Sequence, residues 1–183
     1  MTIFWEELII KTDYLILVNY KYSSKINHIS YRRIEMPIST AFQKRVNELV
    51  ADTELKKVDL AKAGNFDYRS LSNALVYGII PTTSTLVKMA NYFKVSLLYL
   101  LGRTEKNDYF GLSNETFQTR FTQLCKEKGV THYKVSQDCF FDKSNISRWL
   151  SKGYLPTLEI LDMLTKYFNV SIDYLLGLSD FRN

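Results

Sequence analysis

The stretch "DKSNISRWLSKGYLPTLEILDMLTKYFNVSIDYLLG", Asp142–Gly177, decides the fold, because the chain spells much of it twice. Its closing "KYFNVSIDYLLG" (Lys166–Gly177) matches "NYFKVSLLYLLG" (Asn91–Gly102), 75 residues away. Laying Phe42 over Phe117 aligns Phe42–Glu105 with Phe117–Asp180 without a gap, and about 20 of some 64 pairs are identical. The matches include Phe42/Phe117, Arg45/Arg120, Leu49/Leu124, Phe66/Phe141, Ser72/Ser147, Leu75/Leu150, Pro81/Pro156 and Leu86/Leu161. Most are apolar or turn residues, which specify a core and its punctuation. The duplicated object is therefore first a fold, and function must be sought where the copies differ.

Within each copy the apolar spacing is helical. Phe117, Phe121, Leu124 and Cys125 stand at i, i+4, i+7 and i+8, as do Phe42, Val46, Leu49 and Val50, so each set lines one face of a first helix. Gly129 closes that helix in the second copy. A short second helix follows, with Val135 and Ser136, or Leu60 and Ala61, turned inward; a small residue there lets two steeply crossed helices approach. Asp142 and Asp67 are the predicted N-caps of a third helix, with Ile146, Trp149 and Leu150 facing inward. Thr157 and Thr82, each after a proline, are placed to cap a fourth helix. Ser171 and Ser96 cap a short fifth, stopped at Gly177 and Gly102. The expectation is an all-α chain of two tandem five-helix domains, with no strand signal.

At Asp142–Gly177 the sequence resembles the helix-turn-helix domain of the phage-repressor type, the Cro/cI or Xre family, a lambda-repressor-like fold. The Ser-x-Ile-Ser-Arg-Trp core, the proline ten residues after the isoleucine and the Val-Ser-x-x-x-Leu-Leu-Gly ending carry the resemblance. Asp67–Gly102 is similar but looser. The sequence departs from the family at the turn before helix three, where Asn65 and Phe140 replace glycine, and the phenylalanine predicts a differently shaped turn. The glycine after helix three stands one place late, at Gly78 and Gly153.

The resemblance implies that helix three, residues 67–77 and 142–152, enters the DNA major groove and meets base edges with its first residues and one a turn later. In the second copy these are Lys143, Ser144 and Arg148, with Asn145 close by; in the first they are Tyr68, Arg69 and Asn73, with Ser70. Arginine and lysine donate to guanine, and asparagine pairs with adenine. His132 and Lys57 replace the family's usual glutamine at the start of helix two and suit phosphate contact, as does Lys152. The same residues also read as the solvated face of a short helix, most readily in the first copy. Trp149 reads as a core plug.

Composition agrees with this class without selecting it. A formal net charge of +5 over 183 residues permits an acidic partner. Cys125 and Cys139 form no Cys-x-x-Cys motif, and the set Cys125, His132, Cys139 lacks the close ligand pairs of a structural zinc site, so neither cofactor nor metal is expected. No phosphate-cradling glycine loop or nucleophile set is present, so an enzyme is not expected. "LIIKTDYLILV" (Leu8–Val18), broken by Lys11 and Asp13, falls short of the ~20 residues that span a bilayer. A cytoplasmic location is the expectation.

The predicted organisation is an extension at 1–38, domains at 39–105 and 115–183, and a linker at 106–114 within the polar stretch Arg103–Thr116. Residues 1–35 match neither copy. They read either as translated sequence upstream of a natural start at Met36 or as an arm that packs on the first domain or mediates dimerisation. Extended, the polar stretch reaches about 45 Å, enough for two half-sites, while Tyr109, Phe110 and Leu112 are able instead to fix the domains together. The function expected is a sequence-specific double-stranded-DNA-binding regulator, which the resemblance implies is a repressor, with a homodimer as a possible state. The alternative is a protein-binding module on the same scaffold, such as an antitoxin, anti-repressor or phage inhibitor.

Overall fold

The computed structural model describes residues 37–111 and 113–182, all within one compact unit, Met36–Asn183. The readings placed on residues 1–35 and on Leu112 lie outside the described residues. Among the described residues ten helices follow one another: α1 (Thr40–Ala51), α2 (Lys57–Ala63), α3 (Tyr68–Tyr77), α4 (Thr83–Phe93), α5 (Leu97–Leu100), α6 (Phe117–Lys128), α7 (His132–Asp138), α8 (Lys143–Lys152), α9 (Leu158–Phe168) and α10 (Ile172–Leu175). Among the described residues the fold is all-α, with one antiparallel bridge between Ile38 and Ile79.

Helices α7 to α10 repeat α2 to α5 at an offset of 75 residues. The first helices do not keep step. Phe42 is the third residue of α1, capped by Ser39, whereas Phe117 opens α6. The cap of α6 is Thr116, in a reciprocal box with Thr119. The Ser113 hydroxyl donates to Asp180 at 2.6 Å and accepts from Arg120 at 2.8 Å.

The expected core is in place. Phe42, Val46, Leu60, Ala61, Leu71 and Leu86 are buried in the first copy, and Phe117, Phe121, Leu124, Cys125, Val135, Ser136, Ile146 and Leu161 in the second. Trp149 is the plug: its indole meets Phe117, Phe121 and Phe141 at 5.7, 6.0 and 5.1 Å. Burial of a large apolar side chain stabilises by about 1.5–3 kcal/mol. Leu150 is a correction, since it is 36% exposed while its counterpart Leu75 is buried. Trp149 stands where the first copy has Ala74.

The turn before helix three is also a correction. Phe140 has φ 54° and Asn65 φ 51°, so both copies make the same left-handed turn. Matching hydrogen bonds impose it: Phe141 N to Ser136 O at 3.0 Å and Phe66 N to Ala61 O at 3.1 Å. Phenylalanine bears a cost of about 1–2 kcal/mol there with its ring outward, 63% exposed. Thr82 and Thr157 hold the cap positions of α4 and α9 without a side-chain cap bond, unlike Asp67, Asp142, Ser96 and Ser171, which make theirs.

One identity of the repeat, Arg45/Arg120, is charged and buried in both copies. Arg45 lies over the Tyr99 ring at 3.7 Å and pairs with Glu105 at 2.7 Å. Arg120 does the same with Tyr174 at 3.8 Å and Asp180 at 2.5 Å. Each arginine ties the first helix of a copy to the segment around and after the fifth. Close approach seals the same junction: a Cβ at Gly177 would stand 2.1 Å from the Glu115 carbonyl oxygen.

The polar stretch between the copies is not extended. Asn107 accepts from Ser96 N at 2.9 Å, and Phe110 packs on Phe181 with ring centroids 4.6 Å apart. The copies meet directly, α5 against α10. Asp173, 8% exposed, accepts from Leu97 N at 2.8 Å, Thr83 donates to Pro156 O at 2.6 Å, and Arg103 holds Asp162 through two bonds of 2.7 and 3.0 Å. Burial pushes the Asp173 carboxyl up, against the donated N–H groups of Leu97 and Leu98.

Candidate nucleic-acid interface

Helix α8 is set by chemistry at both ends. Asp142 accepts from Ser144 N at 2.7 Å, and the Ser144 hydroxyl and amide hold its carboxyl below the usual range. Gly153 ends the helix in the left-handed conformation, φ 68°, so α8 runs through Lys152, and α3 ends likewise at Gly78 after Tyr77. The late glycine thus marks a third helix longer by one residue. Gln118 supports that end, with Nε2 donating to Trp149 O at 3.2 Å and Tyr154 O at 3.4 Å; Gln43 serves α3 by donating to Leu75 O at 3.1 Å and Val76 O at 2.8 Å. Neither glutamine stands among the predicted site residues. Their identity across the repeat is the signal that could have found them.

Ile146 and Trp149 lock one face of α8 into the core, and the opposite face carries Lys143, Ser144, Arg148 and Lys152, all exposed, with Asn145 half-buried. Lys143, Arg148 and Lys152 have no ion pair among the described residues, whereas Arg103, Lys134 and Arg182 pair with Asp162, Asp138 and Glu127. Arg148 lies over the Tyr154 ring at 5.3 Å, which limits the orientations its guanidinium samples. Ser144 is committed in part to the Asp142 cap.

The first copy brings its residues to the same face but with different chemistry. Tyr68 and Arg69 are exposed, Asn73 is half-buried, and the Ser70 hydroxyl is bonded back to Asp67 at 3.3 Å. Val76 and Tyr77 add exposed apolar surface beyond them. Lys57 opens α2 fully in solvent. His132 opens α7 half-buried, its ring stacked on Phe121 at 5.4 Å, so part of it serves packing. Cys125 and Cys139 are buried, and burial pushes both thiols up to about 11. Among the described residues no three metal-capable side chains converge.

No protein-family model and no solved structure matches the chain. Over 62 residues it is 36% identical to the HTH-type transcriptional activator BcrR of Enterococcus faecalis, a match covering 33% of this chain and 30% of that protein. The chain thus corresponds to under a third of that relative's length. Among the described residues no helix is long and apolar enough to cross a membrane.

Proposed function

We propose that this chain is a sequence-specific double-stranded-DNA-binding transcription regulator of the Cro/cI or Xre type. In this reading it has helix-turn-helix domains at 39–105 and 115–183 joined by 106–114, and acts on cytoplasmic DNA. Helices α3 and α8, with their caps residues 67–77 and 142–152, enter the major groove. One observation carries the reading: Lys143, Arg148 and Lys152, without an ion pair among the described residues, share the solvent face of a helix whose other face is locked in the core. Arg148 and Lys143 then read guanine edges while Lys152 and His132 hold phosphate; Tyr68, Arg69, Ser70, Asn73 and Lys57 are the counterparts. Similarity to a protein named as a helix-turn-helix regulator supports the class.

Repression is the reading for sign, taken from the resemblance to phage repressors, and would act by occupying an operator and excluding polymerase. The relative's name, a transcriptional activator, favours the opposite sign, which needs an added surface for polymerase. The exposed Tyr68, Val76 and Tyr77 of α3 favour a second reading in which the first copy binds protein. Selection from a random duplex pool with the intact chain at near-physiological salt tests the proposal. An enriched motif is expected, and a reporter carrying it gives the sign. No enrichment at all would sink the DNA reading and leave the protein-binding module.

A further inference from the structure

The contact between the copies has a symmetry that their order in the chain does not require. Two beads on a string are free to follow one another head to tail. Here like meets like: α5 packs on α10, and the start of α4, through Thr83, meets Pro156 on the approach to α9. When equivalent patches face each other, the operation relating them is close to a two-fold rotation. The same rotation relates α3 to α8, which carries them in opposed senses.

The polar contacts across this junction are each made once. The repeat places Leu98 opposite Asp173, Leu178 opposite Arg103, Val87 opposite Asp162 and Leu158 opposite Thr83. In a pair of first copies Arg103 would face Val87 in place of Asp162, and in a pair of second copies Asp162 would face Leu178 in place of Arg103, so neither like pair keeps that bond. The Arg103–Asp162 pair therefore favours one first copy with one second copy, and the short segment between them keeps both within reach.

We propose that one chain is a fixed pseudo-dimer that reads an inverted pair of unlike half-sites at a single spacing, with Asp173, Thr83 and the Arg103–Asp162 pair as positioning residues. This rests on the DNA reading above. The half-sites are inverted because the duplex backbone has its own dyads, which a two-fold pair of readers matches. They are unlike because α3 offers Tyr68, Arg69 and Asn73 where α8 offers Lys143, Ser144 and Arg148. Engagement of one half-site presents the second at high effective concentration, with no second chain required.

The test uses the full chain and duplexes that carry the selected half-sites singly, as inverted pairs and as direct pairs, with spacers stepped through one helical turn. Binding to the inverted pair at one spacing should be about a hundredfold tighter than to a single half-site. Moving the second half-site by about 5 bp, half a turn, should remove that gain. Asp162→Arg, which sets two arginines against each other on an exposed part of the junction, should flatten the spacing dependence while leaving single half-site affinity unchanged. Asp173→Ala should act in the same direction. Equal affinity for inverted and direct pairs at all spacings would overturn the fixed pair and leave sequence-specific binding standing. Full spacing dependence in Asp162→Arg and Asp173→Ala would remove the positioning role from these residues. Equal binding to all duplexes, half-sites included, would instead overturn the DNA reading itself.

Discussion

Gly177→Ala and Gly153→Ala separate two reasons for a glycine at a left-handed position. Both residues have positive φ, 75° and 68°, so alanine at either bears a conformational cost of about 1–2 kcal/mol. Around Gly153 a Cβ meets nothing within 4 Å, and the cost ends there. At Gly177 the Cβ would lie 2.1 Å from Glu115 O and 3.1 Å from its carbonyl carbon, so the backbone leading into α6 has to move. Overpacking of this kind adds about 1–3 kcal/mol. For a chain of this size each kcal/mol shifts Tm by about 2–4 °C. Gly153→Ala should therefore lower Tm by a few degrees and Gly177→Ala by roughly two to three times as much. Urea unfolding followed by far-ultraviolet circular dichroism, read as midpoint and slope, measures the difference. Equal losses in the two variants would refute the argument that close packing of the fifth-helix end on the first helix demands a glycine.

Three further outcomes are expected. Arg148→Ala should cost about 1–3 kcal/mol at one operator position, whereas Lys152→Ala should weaken all sequences alike and reduce the salt slope by about 1; equal effects in a base-by-base binding assay would remove Arg148 as a base reader. The Asp180 carboxyl is held low by the Ser113 hydroxyl and the Arg120 guanidinium, so its contribution to stability is full above the ordinary aspartate range and is lost as pH falls through the depressed value. Asp180→Asn should accordingly flatten the acid limb of stability against pH, and an unchanged limb would contradict the assignment. Cys125 and Cys139, buried and raised to about 11, should resist a disulfide reagent at neutral pH in the folded chain and react fully in guanidinium; fast reaction of the native protein would show that the thiols are not shielded.

Much of the fold was legible because it is written locally. Periodicity placed Phe117, Phe121 and Leu124 inward, Asp67, Asp142, Ser96 and Ser171 marked helix starts through their own side chains, and the repeat cross-checked each reading. What failed was non-local. Leu150 is exposed beside a buried Trp149 whose ring contacts come from residues distant in the chain, and Phe140 was held left-handed by hydrogen bonds from its neighbours against its own preference. The glutamines that steady the third helices, Gln43 and Gln118, reach carbonyls some thirty residues away, which spacing along one helix does not reveal.

The sequence alone determined that this chain carries one all-α unit twice and which side chains line the third helix of each copy, since helical period and cap chemistry act within a few residues. Tertiary structure decided how the copies stand to each other. Asp173 with Leu97 N, Thr83 with Pro156 O and Arg103 with Asp162 join residues 59 to 76 positions apart. Those bonds depend on which surfaces meet after each core has formed, and no local pattern encodes that choice.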